Sequence, residues 1–168
     1  MTSIRPLTRA RAGEFLALID ALADFEKLKR PTPDARKRLM RDAFGPRKRF
    51  DAYLAFAGAE AVGYAIIFET YSSFRARPTL YLEDIFILPA FRREGIGRTL
   101  FGACLREAKR RGCGRMEWVV LDWNVNAIRF YETIGATRLR EWLPFRADDA
   151  QFASVMRSLR PKGRRTRR

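Results

Sequence analysis

The hydrophobic pattern of the N-terminal part of the chain predicts two amphipathic helices. After Thr8, a residue type that often caps a helix, large apolar side chains recur every three or four positions, which is the helical period. These side chains are Phe15, Leu18, Ile19, Leu22 and Phe25. A second, shorter helix is predicted after Thr32-Pro33-Asp34, which offers a cap, a proline suited to the first turn and an acid favoured by the helix dipole. Gly45-Pro46 ends it.

The pattern then changes to short apolar runs, which predict strands. The apolar stretch from Ala52 to Phe68 is divided by a small turn around Gly58-Ala59-Glu60. We therefore expect two strands of a hairpin, Asp51 to Ala57 and Ala61 to Glu69. A further β-rich run, Thr79 to Leu88, predicts a third strand, ended by Pro89.

Helical and strand patterns alternate in the C-terminal half. A helix is predicted from about Gly97 to Arg111, a strand from Arg115 to Leu121, and a last helix that Asn124 can cap and that runs through Ile134. Further short strands are expected near Thr137 to Glu141 and Gln151 to Met156. Strand, helix, strand order is typical of right-handed crossovers, so the fold class is α/β, with about six to seven strands in a mixed sheet and about four helices.

Length and charge add a domain prediction and a question about partners. The 168 residues suit a single domain, residues 1–156, followed by a basic tail, residues 157–168, that we expect to be disordered. The net charge of +15 indicates an anionic partner: nucleic acid, a membrane surface or a phosphorylated cofactor. The tail holds seven basic and no acidic residues, so about half of that excess lies outside the predicted domain.

Missing residue types narrow the chemistry further. The chain has no histidine, which excludes Ser-His-Asp and Cys-His mechanisms and zinc sites built on histidine, and we expect no metal. Its two cysteines, Cys104 and Cys113, form no CxxC pair and are interpreted as structural thiols of a protein in a reducing compartment. No apolar run reaches the roughly 20 residues of a membrane span, so the prediction is a cytoplasmic protein without membrane contact.

The chemically informative segment is the turn between the strand ending near Leu88 and the helix that follows. Gly95 and Gly97 let backbone amides approach a ligand closely, and the start of the helix adds unpaired N–H groups and a positive dipole end. Arg92, Arg93 and Arg98 add positive charge. The segment therefore indicates a phosphate site, although a tight turn with solvated arginines has the same residues.

Arg92-Arg93-Glu94-Gly95-Ile96-Gly97 matches the signature of the GNAT superfamily of N-acetyltransferases, in which Arg or Gln, two residues, Gly, one residue, and Gly or Ala hold the pyrophosphate of acetyl-CoA. The chain most resembles the spermidine/spermine (diamine) and thialysine acetyltransferase group. The likeness runs through IRPLTRARAGEFLALIDALADFEKL, DAFG, YLEDIFILPAFRREGIG, LDWNVNAIRFYETIGA and Glu141-Trp142. It implies the GNAT fold, acetyl-CoA as cosubstrate, a small-molecule primary amine as acceptor, direct transfer in a ternary complex, and a homodimer.

The resemblance also implies roles for individual residues. It makes Tyr131 the general acid towards the coenzyme sulfur and Glu83 the base, acting directly or through water. The cationic substrate is expected at Glu26, Glu83 and Asp84. Coenzyme contacts are expected from Phe86, Ile87, Arg92, Arg93, Glu94, Gly95, Ile96, Gly97, Arg98, Asn124 and Tyr131. Tyr131 also suits a core position on its helix, and Asn124 also suits a simple helix cap.

Two features of the sequence qualify this assignment. Glu83 and Asp84 are adjacent, so they point to opposite faces of a strand unless a bulge intervenes, as the resemblance implies here. Glu26 is followed by Lys27-Leu28-Lys29-Arg30, whose charges oppose a polycationic amine. A substrate with both amine and carboxylate groups, such as a thialysine-like amino acid, would suit both the acidic residues and these basic residues. A protein or peptide amine, and a non-catalytic RNA or ribosome binder, are the alternatives, although the phosphate site makes nucleic acid unnecessary as the explanation of the charge.

Overall fold

The computed structural model describes residues 1–160. Its strands are β1 (Thr2–Pro6), β2 (Asp51–Ala57), β3 (Glu60–Ser72), β4 (Arg77–Ile87) and β5 (Arg115–Glu117). Its α-helices are α1 (Ala12–Phe25), α2 (Pro33–Phe44), α3 (Ile96–Arg110), α4 (Val125–Thr133) and α5 (Asp149–Ser158), and short 3-10 helices span Arg9–Arg11 and Pro89–Phe91. The described chain forms two compact units, one of Met1–Val119 and a second that begins at Val120.

The strands of the first unit form one sheet in the order β1-β2-β3-β4-β5. Neighbours are antiparallel except β4 and β5, which are parallel and joined through α3. A parallel pair needs such a crossover, so the predicted α/β class with a mixed sheet is confirmed. The described residues contain five strands where about six to seven were expected, and five α-helices where about four were expected.

Both predicted N-terminal helices are present. Thr8 precedes the 3-10 helix Arg9–Arg11, so α1 itself begins four residues later, at Ala12. In α2 the Thr32 hydroxyl accepts a hydrogen bond from the Ala35 amide at 3.2 Å, and Pro33 occupies the first turn. Capping at α2 therefore follows the local signals in the sequence.

The core of the first unit lies between α1 and the sheet. Phe15 and Leu18 of α1 pack with the apolar side chains that β2, β3 and β4 direct to that face. These are Ala52, Leu54, Phe56, Tyr64, Ile66 and Phe86. Helix α3 contributes a second set of fully buried side chains, Leu100 and Cys104 among them. Burial of each large side chain stabilises the fold by about 1.5–3 kcal/mol. This apolar packing fixes the strands, and with them the loops that connect the strands.

The β2–β3 hairpin turns at Gly58, which has a φ of +62°. Further along β3, Gly63 packs tightly against β4: a Cβ there would lie 2.5 Å from the Phe86 carbonyl oxygen. Glycine thus lets the two central strands approach closely next to the residues at the end of β4.

The predictions for the C-terminal region were wrong in part. Residues Gln151 to Met156 lie in α5, not in a strand, and Thr137 to Glu141 form no strand. The strand predicted from Arg115 to Leu121 is shorter and ends at Glu117. Phe152, Val155, Met156 and Leu159 recur at helical spacing, and Asp148 and Gln151 form a capping box, so helical periodicity was the correct signal.

The tail predicted from residue 157 begins inside α5, which includes Arg157 and Ser158. The last eight residues of this predicted tail, residues 161–168, lie outside the described part of the chain. Within residues 1–160, every helix is too short or too polar to cross a bilayer. Cys104 and Cys113 are free thiols, and burial raises the pKa of Cys104 to about 12, which suits the structural role predicted for it.

Candidate functional site

The turn between β4 and α3 has an unusual backbone conformation. Arg93 and Gly95 both adopt left-handed φ angles, +69° and +79°, and α3 begins directly afterwards at Ile96. Arg93 accepts a strained conformation, whereas Gly95 adopts it without cost. The first N–H groups of an α-helix have no partner within the helix, so this turn presents them together with the positive end of the α3 dipole.

The turn also leaves room for a ligand. A Cβ at Gly95 would meet nothing within 4 Å, and a Cβ at Gly97 would touch only the Ile87 Cγ1, at 3.7 Å. The side chains of Arg93 and Arg98 are exposed beside it. An open backbone cradle at a helix N-terminus, flanked by guanidinium groups, fits a pyrophosphate.

Arg92, predicted to contact phosphate, makes contacts of its own within the described chain. Its Nε donates a hydrogen bond to the Ile87 carbonyl at 2.9 Å, and its guanidinium lies 4.3 Å from the Phe25 ring centroid and 5.5 Å from that of Phe86. Burial lowers the pKa of this guanidinium. Arg92 thereby ties the turn to the end of β4 and to the end of α1.

Strand β4 carries a bulge in the middle of the Leu-Glu-Asp segment. On β3 the adjacent residues Ile66 and Ile67 pair with Asp84 and Leu82, so Glu83 is the extra residue. The side chain of Glu83 is exposed, whereas Asp84 is partly buried. The bulge implied by the resemblance is therefore present, and it removes the simple alternation that would send the two carboxylates to opposite faces.

Beyond the bulge, β4 has a partly unpaired edge. It pairs with β5 only over Thr79–Tyr81, although it continues to Ile87, and no other described strand follows on that side. In the antiparallel pairing with β3, alternate residues of β4 direct their N–H groups to this edge. Because the Leu88 N–H bonds to the Val62 carbonyl on the β3 side, the N–H of Ile87 points to the free edge. Such groups are donors for the carbonyl oxygen of a bound thioester.

Asp84 has a partner that the sequence did not reveal. The hydroxyl of Tyr64, in the middle of β3, donates a hydrogen bond to Asp84 Oδ2 at 3.2 Å. Tyr64 is fully buried. The signal available in the sequence was its place in an apolar strand, since a buried tyrosine hydroxyl requires a hydrogen-bond partner.

Three carboxylates lie close enough to affect one another. The pKa of Asp84 is raised to about 6: burial raises it most, the charges of Glu83 and Glu26 raise it as well, and the hydrogen bond from Tyr64 lowers it. Burial also raises the pKa of Glu26, which directly follows the last residue of α1. We call Glu26, Glu83 and Asp84 the acidic cluster; the structure brings all three predicted substrate residues together.

The basic residues after Glu26 differ in whether they form an ion pair. Arg30 is bound to Asp24, with an Nη2–Oδ2 distance of 2.6 Å. Lys27 and Lys29 are exposed, and the described ion pairs include neither of them. Two ammonium groups therefore remain close in sequence to the acidic cluster.

The second unit contains the other two predicted residues, Asn124 and Tyr131. The Asn124 side chain accepts a hydrogen bond from the Ala127 amide at 3.3 Å and caps α4, as its position predicted. Tyr131 is partly buried, its ring lies 5.4 Å from that of Phe130, and burial raises its pKa to about 12. Its phenol is therefore protonated, and a hydrogen-bond donor, throughout the neutral range.

The chain is similar to known acyl-transferring proteins along most of its length. It is 35% identical over 147 residues to a thialysine N-epsilon-acetyltransferase of Caenorhabditis elegans, covering 86% of this chain and 90% of that protein. It is 43% identical over 102 residues to the L-ornithine N5-acetyltransferase NATA1 of Arabidopsis thaliana, covering 61% of this chain and 42% of that protein.

A solved structure shares the fold. An aminoglycoside N-acetyltransferase in complex with CoA superimposes with a TM-score of 0.72 at 21% identity, over 88% of this chain and 95% of that one. A model of the acetyltransferase (GNAT) family matches residues 17–136, a range that includes the open turn, the acidic cluster and Tyr131. The chain belongs to the acetyltransferase (GNAT) family.

Proposed function

We propose that this protein transfers the acetyl group of acetyl-CoA to a primary amine of a small molecule, by direct transfer in a ternary complex. The observation that carries the proposal is the open, amide-lined turn before α3, joined through the end of β4 to an acidic cluster that suits an ammonium group. The family match and the similarity to amine acetyltransferases support it. We further propose that residues 1–156 act as one domain, since the family match continues across residue 120. A reducing, cytoplasmic setting suits the two free thiols.

The turn and the adjacent strand edge are the proposed coenzyme site. When bound, acetyl-CoA supplies a thioester whose acetyl group is open to attack by a neutral amine. Backbone amides of Gly95, Ile96 and Gly97, with the side chains of Arg93 and Arg98, bind phosphate, and Arg92 holds the turn in shape. Glu94 and Asn124 remain proposed contacts on the basis of the resemblance.

The proposed chemistry uses two proton transfers. The ammonium of the substrate loses a proton to a carboxylate of the acidic cluster, a role that the resemblance gives to Glu83. Tyr131 donates towards the departing sulfur, and the N–H group of Ile87, at the free edge of β4, stabilises the negative oxygen that forms in the transition state. None of these roles requires histidine or a metal ion, in keeping with the composition.

For the acceptor, we propose a lysine-like amino acid that carries both an amine and a carboxylate. The acidic cluster attracts the ammonium end, while Lys27 and Lys29 offer charge for a carboxylate. A diamine or polyamine has no group for these lysines and would meet their repulsion. The names of the two similar proteins, a thialysine and an ornithine acetyltransferase, are consistent with this choice.

A comparison of acceptors tests this proposal. With purified protein and acetyl-CoA, thiol release is measured for thialysine, ornithine, spermidine and a simple diamine. We expect kcat/KM for thialysine to exceed that for spermidine at least about tenfold, the size of a single favourable charge contact. Thialysine amide, which lacks the carboxylate, is the matched control and should lose this advantage. A clear preference for spermidine contradicts the proposal.

We also propose that the protein is a homodimer. In the second unit, Trp142, Leu143 and Phe145 are 71%, 75% and 93% exposed, and none of the residues of α5 is buried. Clustered apolar side chains of this kind usually form an interface. A second copy of the chain, expected from the resemblance, would cover them.

Sedimentation velocity tests the dimer directly. The native protein should sediment as a dimer, and Phe145→Glu should shift it towards monomer because a charge in a desolvated interface costs several kcal/mol. Thr137→Glu, a charge introduced at an exposed polar position of the same unit, should leave the dimer intact. A native protein that sediments as a monomer at every concentration is the contrary result.

A further inference from the structure

The hydrogen bond between Tyr64 and Asp84 lies within the sheet face that packs on α1. Tyr64 pairs with Phe86 across the strands, and Ile66 pairs with Asp84. Tyr64 and Asp84 are therefore diagonal neighbours on the same face, close enough for a long side chain to reach. Their contact is a hydroxyl-to-carboxylate bond of 3.2 Å.

The position of the Tyr64 ring is fixed by packing. It has no exposed surface, and it lies edge-on to Phe15 at a centroid distance of 5.4 Å and tilted against Phe86 at 6.4 Å. Burial raises the pKa of its phenol far above the ordinary value, so the hydroxyl remains a donor at all working pH values. Tyr64 thus donates to Oδ2 of Asp84, and Oδ1 is left for another partner.

We propose that Asp84, held by Tyr64, is the carboxylate that accepts the proton of the substrate ammonium, and that Tyr64 is its positioning residue. This inference rests on the proposed function and assigns the base to Asp84 in place of Glu83. In the step, an N–H bond of the ammonium breaks and its proton moves to the Asp84 carboxylate. The electron pair stays on nitrogen, which attacks the acetyl carbon and pushes the carbonyl electrons onto oxygen; as these return, the C–S bond breaks and the sulfur receives a proton from an acid. The nitrogen then loses a second proton, which restores that acid and leaves a neutral amide. Asp84 later releases its proton to solvent.

The bulge explains why the two adjacent carboxylates differ. Glu83, the extra residue, is exposed, and water stabilises its charge. Asp84 is partly buried and faces Tyr64 from β3, Glu83 on its own strand and Glu26 from the end of α1. The nearby cation Arg92 is engaged with the Ile87 carbonyl and the Phe25 and Phe86 rings. A buried carboxylate among other acids holds a proton more strongly than an exposed one, and is the better base.

These neighbours act on Asp84 with opposite signs. Burial and the charges of Glu83 and Glu26 raise the pKa of Asp84, to about 6, whereas the hydrogen bond from Tyr64 lowers it. Loss of the Tyr64 hydroxyl should therefore raise the pKa of Asp84. Loss of the Glu83 charge should lower it.

The test compares Tyr64→Phe, Glu83→Gln and Asp84→Asn with the native enzyme. Tyr53→Phe is the matched control, because its hydroxyl lies on the other face of the sheet, where Glu107 and Arg111 are its charged neighbours. Two quantities are measured in each folded variant: the pH profile of kcat/KM with a lysine-like amine, and the titration of the Asp84 carboxyl carbon by NMR in the free protein. The NMR titration needs no turnover, so it measures the effect of Tyr64 on the pKa of Asp84 independently of the proposed activity.

In Tyr64→Phe we expect the acid limb and the Asp84 titration to move up by roughly one pH unit. The fraction of plateau activity that remains at pH 6 should therefore be roughly five-fold lower than in the native enzyme. In Glu83→Gln both should move down, and kcat should fall less than in Asp84→Asn. Asp84→Asn should lose about 100-fold or more in kcat, and recover as pH approaches the pKa of the amine, about 10, where no base is needed.

Other results overturn the inference. The inference is wrong if the acid limb does not move in Tyr64→Phe, or if it moves equally in Tyr53→Phe. It is also wrong if Glu83→Gln loses turnover while Asp84→Asn stays active. If Tyr64→Phe does not fold, two other results test the inference. These are the direction in which the acid limb moves in Glu83→Gln and the recovery of Asp84→Asn activity at high pH. If the native enzyme acetylates amines but the pH shifts of the variants do not have the expected directions, the inference alone is contradicted. If the native enzyme transfers no acetyl group, both the inference and the proposed function are contradicted.

Discussion

Replacing Gly97 with tryptophan is expected to abolish acetyl-CoA binding. Gly97 lies in the first turn of α3, and a Cβ there touches only the Ile87 Cγ1 at 3.7 Å, so an indole would be directed into the open space above the turn. That space is where we place the pyrophosphate, and a bulky ring would displace it from the backbone amides. Isothermal titration calorimetry should show a Kd for acetyl-CoA at least about 100-fold weaker, equivalent to about 2.7 kcal/mol.

The matched control for this variant is Gly13→Trp. Gly13 also lies in the first turn of an α-helix, α1, and a Cβ there would meet nothing within 4 Å. Because it is distant in sequence from the turn before α3, its replacement should leave coenzyme affinity unchanged. Equal affinity of native and Gly97→Trp proteins would refute the phosphate site, whereas a loss in both variants would point to a general defect in folding.

The second large effect is expected from Tyr131→Phe, which should lower kcat about 100-fold while acetyl-CoA still binds. The phenylalanine keeps the ring and its packing beside Phe130 and removes only the donor. If the hydroxyl serves the departing sulfur, its loss affects the transition state and not the bound ground state. Steady-state kinetics and calorimetry on the same preparation separate these two quantities.

The pH dependence gives a further check on Tyr131. Burial raises its pKa to about 12, so the phenol keeps its proton across the working range, and a fall in activity between pH 8 and 10 would not arise from its ionisation. Tyr53→Phe, which removes a hydroxyl from β2, should leave kcat within about twofold of native. Unchanged turnover in Tyr131→Phe would remove Tyr131 from the proposed mechanism.

The parts of the site that sequence reasoning predicted well are those formed by consecutive residues. A strand ended by proline, two glycines and the start of an apolar helical stripe are local features, and the structure has the β4–α3 turn at the expected place, with α3 beginning one residue before the predicted start. The caps Thr32 and Asn124 are local as well, and both accept the expected backbone hydrogen bond. Short-range geometry of this kind depends mainly on backbone sterics and nearby polar groups.

Errors arose where a pattern was short or where tertiary pairing decided the outcome. Strand β1 has only five residues and exists by pairing with Tyr53–Ala57 of β2, far along the chain, so the local pattern did not reveal it. In α5, a few apolar residues were interpreted as a strand although their spacing of three and four is helical. Periodicity over about ten residues is a weak signal unless the capping box is also considered.

By itself, the sequence determined the α/β class, the turn before α3, the identity of the acidic residues and the absence of histidine chemistry. The tertiary structure decided which of these groups meet: it placed Glu26 near Asp84, packed Arg92 against Phe25 and Phe86, and supplied Tyr64 as the partner of Asp84. The physical reason is that burial and pKa depend on neighbours brought together by folding, and adjacent residues such as Glu83 and Asp84 acquire different chemistry once a bulge exposes one and buries the other.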